Sequence, residues 1–270
     1  MALPQPSMKE NRLNFTTDIN RRLYLDLLER VLTATLTTQE PSLSYENPLA
    51  YAANFHRHYI QGPAISMLPL IRFKNLRSCM QEVIQNNVPG DFIETGVWRG
   101  GATIFMRAVL KSYAIDDRLV WVADSFEGLP FPDPEKYPKE AAARQGKVMT
   151  KLFENLQAGL QEVQRNFATF DLLDEQVRFL KGWFKDTLPQ APIEQLALMR
   201  LDGDFYESTM DALVNLYDKL SVGGIVIVDD YGEDTWTECR KAVDDFRRSR
   251  SIHDPLTAVD SSCSWWRKSS

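Results

Sequence analysis

The sequence predicts an α/β protein built on a parallel sheet with helices over both faces. Three observations carry that prediction. Short apolar runs recur at 90–96, 118–126, 177–184, 196–204 and 223–231, and each reaches polar residues toward its C-terminal end. Helical-period segments separate them, beginning with 101–113. Runs that stay apolar, instead of alternating, mark strands buried on both faces, as in parallel sheets. Finally, the glycines of "ETGVWRGG" (94–101) stand where the first run gives way to its helix.

In chain order, the first dozen residues carry no core-forming pattern and are expected to be loose. Residues 19–36 place Leu23, Leu27, Leu28 and Val31 at helical spacing and predict an amphipathic helix. Residues 37–66 are irregular and rich in Tyr, Asn, His and Pro. Residues 67–88 predict a second helix, stopped before Pro89 and Gly90. The first strand (90–96), its helix (101–113) and the second strand (118–126) follow. Residues 127–147 then hold four prolines among 21 residues; a loop that long in a compact domain is a lid or is disordered. Leu152, Leu156, Leu160 and Val163 predict a helix over 148–170. Strands at 177–184, 196–204 and 223–231 complete the series. The last segment, 255–270, lacks helical period and predicts a closing antiparallel hairpin. The expected division is an N-terminal tail and helical cover or lid over 1–88 and a core over 89–270, within one globular unit.

Composition narrows the function. With 44% hydrophobic and 25% charged residues, the 270-residue chain can bury a core. No apolar run approaches the roughly 20 residues of a membrane helix, and the N-terminus has no signal-peptide pattern. A cytoplasmic protein without a membrane partner is expected. Cys79, Cys239 and Cys263 are far apart and form no CxxC, so free thiols are expected. The net charge of −6 argues against nucleic acid as a partner. The basic "FRRSRS" at 246–251 reads as a solvated helix end.

Open α/β sheets bind ligands beyond the carboxyl ends of their strands, and the turn 94–101 lies at such an end. Gly96 would let a cofactor approach the backbone, while Gly100 and Gly101 tighten the turn into the helix. The dinucleotide fingerprint aims a helix N-terminus at a pyrophosphate. Here Glu94 replaces its first glycine. A carboxylate disfavours an anionic pyrophosphate and suits a cation, which points to S-adenosylmethionine over NAD. Thr95 lies beside Glu94 in the same turn. Asp124 ends the second strand 30 residues later, with Ser125 next to it, in the place where an acid accepts both ribose hydroxyls. Trp183 and Phe184 suit either an adenine sandwich or core packing.

Asp202 and Asp204 end one strand, and Asp229 and Asp230 end another. If those strands are neighbours, their charges converge and demand a counter-ion. Hard oxygen donors favour Mg²⁺, or Mn²⁺ or Ca²⁺, over zinc. Ligation would occupy Asp202, Asp229 and Asp230, leaving Asp204 as the general base for an alcohol acidified by the cation. The plainer alternative is a set of capping acids. His56 and His58 are rivals as base or ligand, though an HxH pair in this irregular segment also suits simple packing. A nicotinamide-dependent oxidoreductase is disfavoured by Glu94 and by the lack of a Tyr-x-x-x-Lys pair near the turn.

At these residues the chain resembles the macrocin-type sugar O-methyltransferases. The matching stretches are "GDFIETGVWRGGATIFMRAVL", "VADSFEGLP", "LRLDGDFYEST", "LYDKLSVGGIVIVDDYG" and "CRKAVDDFR", in order over most of 90–247. The resemblance implies a Rossmann-like class I S-adenosylmethionine-dependent methyltransferase sheet with an N-terminal helical cover and a lid loop. It implies an Mg²⁺-requiring enzyme with ligands at Asp202, Asp229 and Asp230 and a base at Asp204. It further implies a homo-oligomer, dimer or tetramer, closing over a glycosylated acceptor such as a macrolide or aminocoumarin. The residues alone leave a phenolic or catechol-like acceptor open, because two vicinal oxygens would chelate the same cation.

Overall fold

The computed structural model describes residues 8–38, 56–145, 156–232 and 237–270. Five parallel strands form the centre: β1 (Asp91–Thr95), β2 (Val120–Asp124), β3 (Val177–Lys181), β4 (Leu196–Leu201) and β5 (Leu220–Val228). The expected closing hairpin is present as β6 (Thr257–Ala258) and β7 (Ser264–Arg267), with β7 antiparallel to β5. The sheet order is β3-β2-β1-β4-β5-β7-β6. The chain winds outward from β1 to β3 and then returns to lay β4 against the other side of β1. That reversal opens a crevice at the tips of β1 and β4.

Alternate residues of each central strand enter two separate cores. Phe92, Val120, Val122 and Leu198 face one, while Ile93, Trp121, Ala123 and Met199 face the other. The first core is covered by α1 (Met8–Leu32), α2 (Leu70–Gln85), α3 (Gly101–Ser112) and α5 (Leu160–Thr169). The second is covered by α6 (Phe184–Thr187), α7 (Tyr206–Leu216) and α8 (Thr237–Ser249). Leu25, Leu28 and Leu32 of α1 belong to the same buried cluster as the strands, so the N-terminal cover packs into the core of the sheet. All three cysteines are free and buried. No helix among the described residues is long and apolar enough to cross a membrane.

Several boundaries differ from the sequence reading for local reasons. The proline-rich segment is not all loop: it contains α4 (Pro138–Gln145). The helix expected over 148–170 starts only at Leu160 among the described residues, where Gly159 caps it in an extended conformation with φ −71 and ψ 152. The third strand stops at Lys181, where Gly182 adopts φ +136. The fifth begins three residues early and absorbs Gly223 and Gly224 as an irregularity against β4. Most of 37–66 lies outside the described residues; a π-helical turn at His56–Ile60 is its one described helical piece.

Candidate functional site

The crevice holds a cavity of about 330 Å³ at the carboxyl ends of β1, β2, β3 and β4. Gly96 and Trp98 line it from the first turn, Asp124 and Ser125 from the second, Trp183 from the third, and Asp202 and Asp204 from the fourth. Four separate segments of sequence thus converge as the topology requires.

The Asp124 carboxylate is fixed by its own turn. Oδ2 accepts the Val97 N–H at 2.7 Å and Oδ1 accepts the Phe126 N–H at 2.7 Å. Burial raises its pKa, and these backbone bonds oppose the rise. The Ser125 hydroxyl stands 3.3 Å from Oδ1, and the Trp98 N–H also faces the carboxylate. Ser125 Oγ donates to the Gly128 carbonyl at 2.8 Å and so shapes the start of the proline-rich segment.

Gly96 is required for a different reason from the one its position suggests. It adopts φ +87, and a Cβ there would sit 1.8 Å from the Asp202 carbonyl oxygen. The tip of β4 by itself excludes a side chain at this position, which also lines the cavity. Gly100 and Thr95 stand outside the cavity: a Cβ on Gly100 would meet Val163 at 2.8 Å, and Thr95 is fully buried.

Glu94 also lies behind the cavity wall. One oxygen pairs with Arg200, while Oε2 has no hydrogen-bond partner among the described residues. Burial pushes its pKa up to about 8 against the pull of Arg200. This corrects the charge argument drawn from the sequence. The carboxylate is answered inside the protein, so its presence in the turn does not by itself select a cationic cofactor.

The strands that carry the aspartates are neighbours. Leu201 of β4 is in register with Val228 of β5, and the Asp229 N–H continues the ladder to the Leu201 carbonyl at 2.9 Å. Asp202, Asp204 and Asp230 each present a carboxylate oxygen, all within 4.8 Å of one another. Asp204 reaches this position through a left-handed backbone at φ +57, and its N–H donates to Asp230 Oδ2 at 3.3 Å. Burial, followed by the charges of their neighbours, raises the pKa of all three. A donor set of three hard oxygens that repel one another fits a divalent cation, whose charge reverses that shift.

Asp229 does not join the three. Its Oδ1 pairs with Arg200, and its Oδ2 accepts from Arg72 at 2.6 Å. Arg200 is 1% exposed and also pairs with Asp202 at 2.8 Å. Burial alone would weaken the charge on Arg200, yet Asp229, Asp202 and Glu94 hold it protonated. Arg72 in turn grips Asp260 in the β6–β7 turn at 2.7 Å. These arginines escaped the sequence reading. The signal for Arg200 was present: "LALMRL" places a cation in the middle of an apolar central strand, where a charge is rarely found unpaired. Arg72 gave no such signal, because polar residues are ordinary on a helix. His56 and His58 do not line the cavity; His58 meets the Tyr59 ring edge-on at 4.7 Å.

Comparison with known proteins adds an independent line. The Macrocin-O-methyltransferase (TylF) family profile matches residues 61–268. Demethyldecarbamoylnovobiocin O-methyltransferase of Streptomyces niveus is 46% identical over 268 residues, covering 93% of this chain and 95% of that protein. The 8-demethyl-8-(2,3-dimethoxy-alpha-L-rhamnosyl)-tetracenomycin-C 4'-O-methyltransferase of Streptomyces olivaceus is 45% identical over 257 residues, covering 93% and 94%. The solved structure of the O-methyltransferase NovP superposes with a TM-score of 0.79 at 46% identity, covering 93% of this chain and all of that one.

Proposed function

The chain belongs to the macrocin O-methyltransferase family and is an O-methyltransferase, and on that premise we propose that it methylates a sugar hydroxyl of a glycosylated natural product, with S-adenosylmethionine as donor and Mg²⁺ as the bound cation. The observation that carries the reading is the meeting of Asp202, Asp204 and Asp230 at two adjacent strand tips, on a cavity that also presents Asp124 and Trp183. The Streptomyces olivaceus relative, a 4'-O-methyltransferase named for a rhamnosyl tetracenomycin, supports a sugar acceptor.

The roles divide as follows. Asp124 accepts the ribose hydroxyls, and Trp183 walls the nucleoside end of the cavity. Asp202 and Asp230 would hold the cation, joined by Asp229 if the ion replaces one of its arginine partners. Asp204, which lines the cavity where Asp229 and Asp230 do not, receives the acceptor's proton. When bound, the sulfonium donor supplies an electrophilic methyl carbon, and the cation lowers the pKa of a coordinated alcohol. The C–O bond forms as the C–S bond breaks, and the proton passes to Asp204. Holding oxygen and methyl carbon in line supplies much of the rate. Covering the site with the N-terminal segment and the proline-rich segment excludes water.

A labelled-donor assay against two acceptor sets tests the reading. Rhamnosylated aglycones are expected to gain one methyl group on the sugar. Label on catechols, with none on the glycosides, would overturn the sugar assignment.

A further inference from the structure

Helix α7 begins two residues after Asp204, and its head is capped from a distant part of the chain. Phe205 stands where a capping side chain would sit and has no side-chain oxygen to offer. The Tyr206 N–H instead donates to Glu140 Oε1 at 2.8 Å, across 66 residues of sequence. Glu140 belongs to α4, in the proline-rich segment that crosses the cavity after β2. Gly128, Leu129, Pro130 and Phe131 of that segment line the cavity, so it forms a strap from β2 to the start of α7.

Two further contacts fasten the strap at the same place. The Tyr137 ring stacks on Tyr206 with centroids 5.3 Å apart and planes 28° apart. Lys136 reaches Glu207 at 3.9 Å. Tyr206 is gripped from its other side by α8, through Asp245 on its hydroxyl at 3.1 Å and Lys241 over its ring at 4.6 Å. Glu140 is only 6% exposed, and its Oε2 has no hydrogen-bond partner among the described residues. A buried carboxyl with one oxygen unpaired is costly, and such a group persists where it performs a task.

We infer that Glu140 is a positioning residue for the reaction: from the strap it fixes the head of α7, and through it the left-handed turn that aims Asp204 into the cavity. Asp204 holds φ +57, a conformation aspartate adopts more readily than most residues, and its own N–H is tied to Asp230 Oδ2 at 3.3 Å. On the upstream side Asp202 is anchored by the β4 ladder, its N–H donating to the Thr95 carbonyl at 2.9 Å. On the downstream side the strap supplies the anchor. Laying the strap across the cavity and orienting Asp204 are therefore one event. The inference rests on the proposed role of Asp204.

Comparison of Glu140→Ala and Glu140→Gln with the wild-type full chain tests it. Alanine removes the acceptor, whereas the glutamine amide oxygen can still take the Tyr206 N–H. For Glu140→Ala, kcat on a rhamnosylated acceptor is expected to fall about tenfold or more, with S-adenosylhomocysteine affinity unchanged in calorimetry. Hydrogen exchange at the Tyr206 amide and at strap residues 137–141 should quicken about tenfold. Glu140→Gln should stay close to wild type in all three. Wild-type exchange and turnover in Glu140→Ala would overturn the inference, as would glutamine failing as badly as alanine. The exchange measurement needs no acceptor. If the wild type methylates no glycoside, the functional reading fails by itself, and the exchange contrast still decides whether Glu140 latches the strap.

Discussion

Asp204→Asn is expected to lower turnover about a thousandfold, within the range set by loss of a general base, with S-adenosylhomocysteine affinity unchanged. Asparagine has nearly the size and shape of aspartate, so it can occupy the same left-handed turn, a conformation it tolerates better than most residues. It cannot take a proton from an alcohol. The distinction from a ligand role lies in calorimetry with Mg²⁺. Asp204→Asn should bind the ion nearly as well as wild type, whereas Asp202→Asn should lose about tenfold or more of affinity. Near-normal turnover in Asp204→Asn would remove it as the base. A loss of Mg²⁺ affinity in Asp204→Asn, with none in Asp229→Asn, would exchange the roles of those two residues. In the structure Asp229 is paired with Arg200 and Arg72, and Asp204 completes the triad.

Arg200→Met carries the largest expected stability effect, a loss of about 3–5 kcal/mol. Methionine fills similar space and packs well in a buried strand, so the deficit comes from charge, not from a void. Removing the guanidinium leaves buried Glu94 and half-buried Asp202 without it, and Asp229 with Arg72 alone. Glu94, whose pKa burial already raises, would lose the charge that pulls it down. Thermal unfolding should shift down by about 6–20 °C on that scale. A melting point within about 2 °C of wild type would show that the arginine is not the counter-charge on which the acidic tips depend. Arg200→Lys should fall between the two, because a single ammonium cannot serve three carboxylates in the planar fork that a guanidinium offers.

Much of this site was legible in the sequence because its carriers are strand ends. A strand that runs out into acids announces both its own end and the chemistry there, so Asp124, Asp202, Asp204, Asp229 and Asp230 could be named from position alone. Whether β4 and β5 are neighbours stays open in the sequence: β3 and β4 also follow one another in the chain, yet β2 and β1 lie between them. The counter-charges were harder to see. Arg72 lies on a cover helix, 157 residues from Asp229, and no local pattern connects the two. The same holds for Glu140 and Tyr206, which lie 66 residues apart. For Gly96 the sequence shows a conformational need but not its protein neighbour, because the atom that excludes a side chain belongs to another strand. The late start of α5 is hidden in the sequence because Leu156 keeps the helical spacing of Leu160 and Val163, and the Gly159 cap leaves little mark on that periodicity.

The most direct test of the account is the initial rate of methyl transfer to a rhamnosylated acceptor after dialysis against EDTA, followed by titration with Mg²⁺. The account predicts that the rate falls to background without the ion and returns along a saturation curve, and that Asp202→Asn shifts this curve to higher Mg²⁺. A chelated enzyme that keeps its full rate would contradict it.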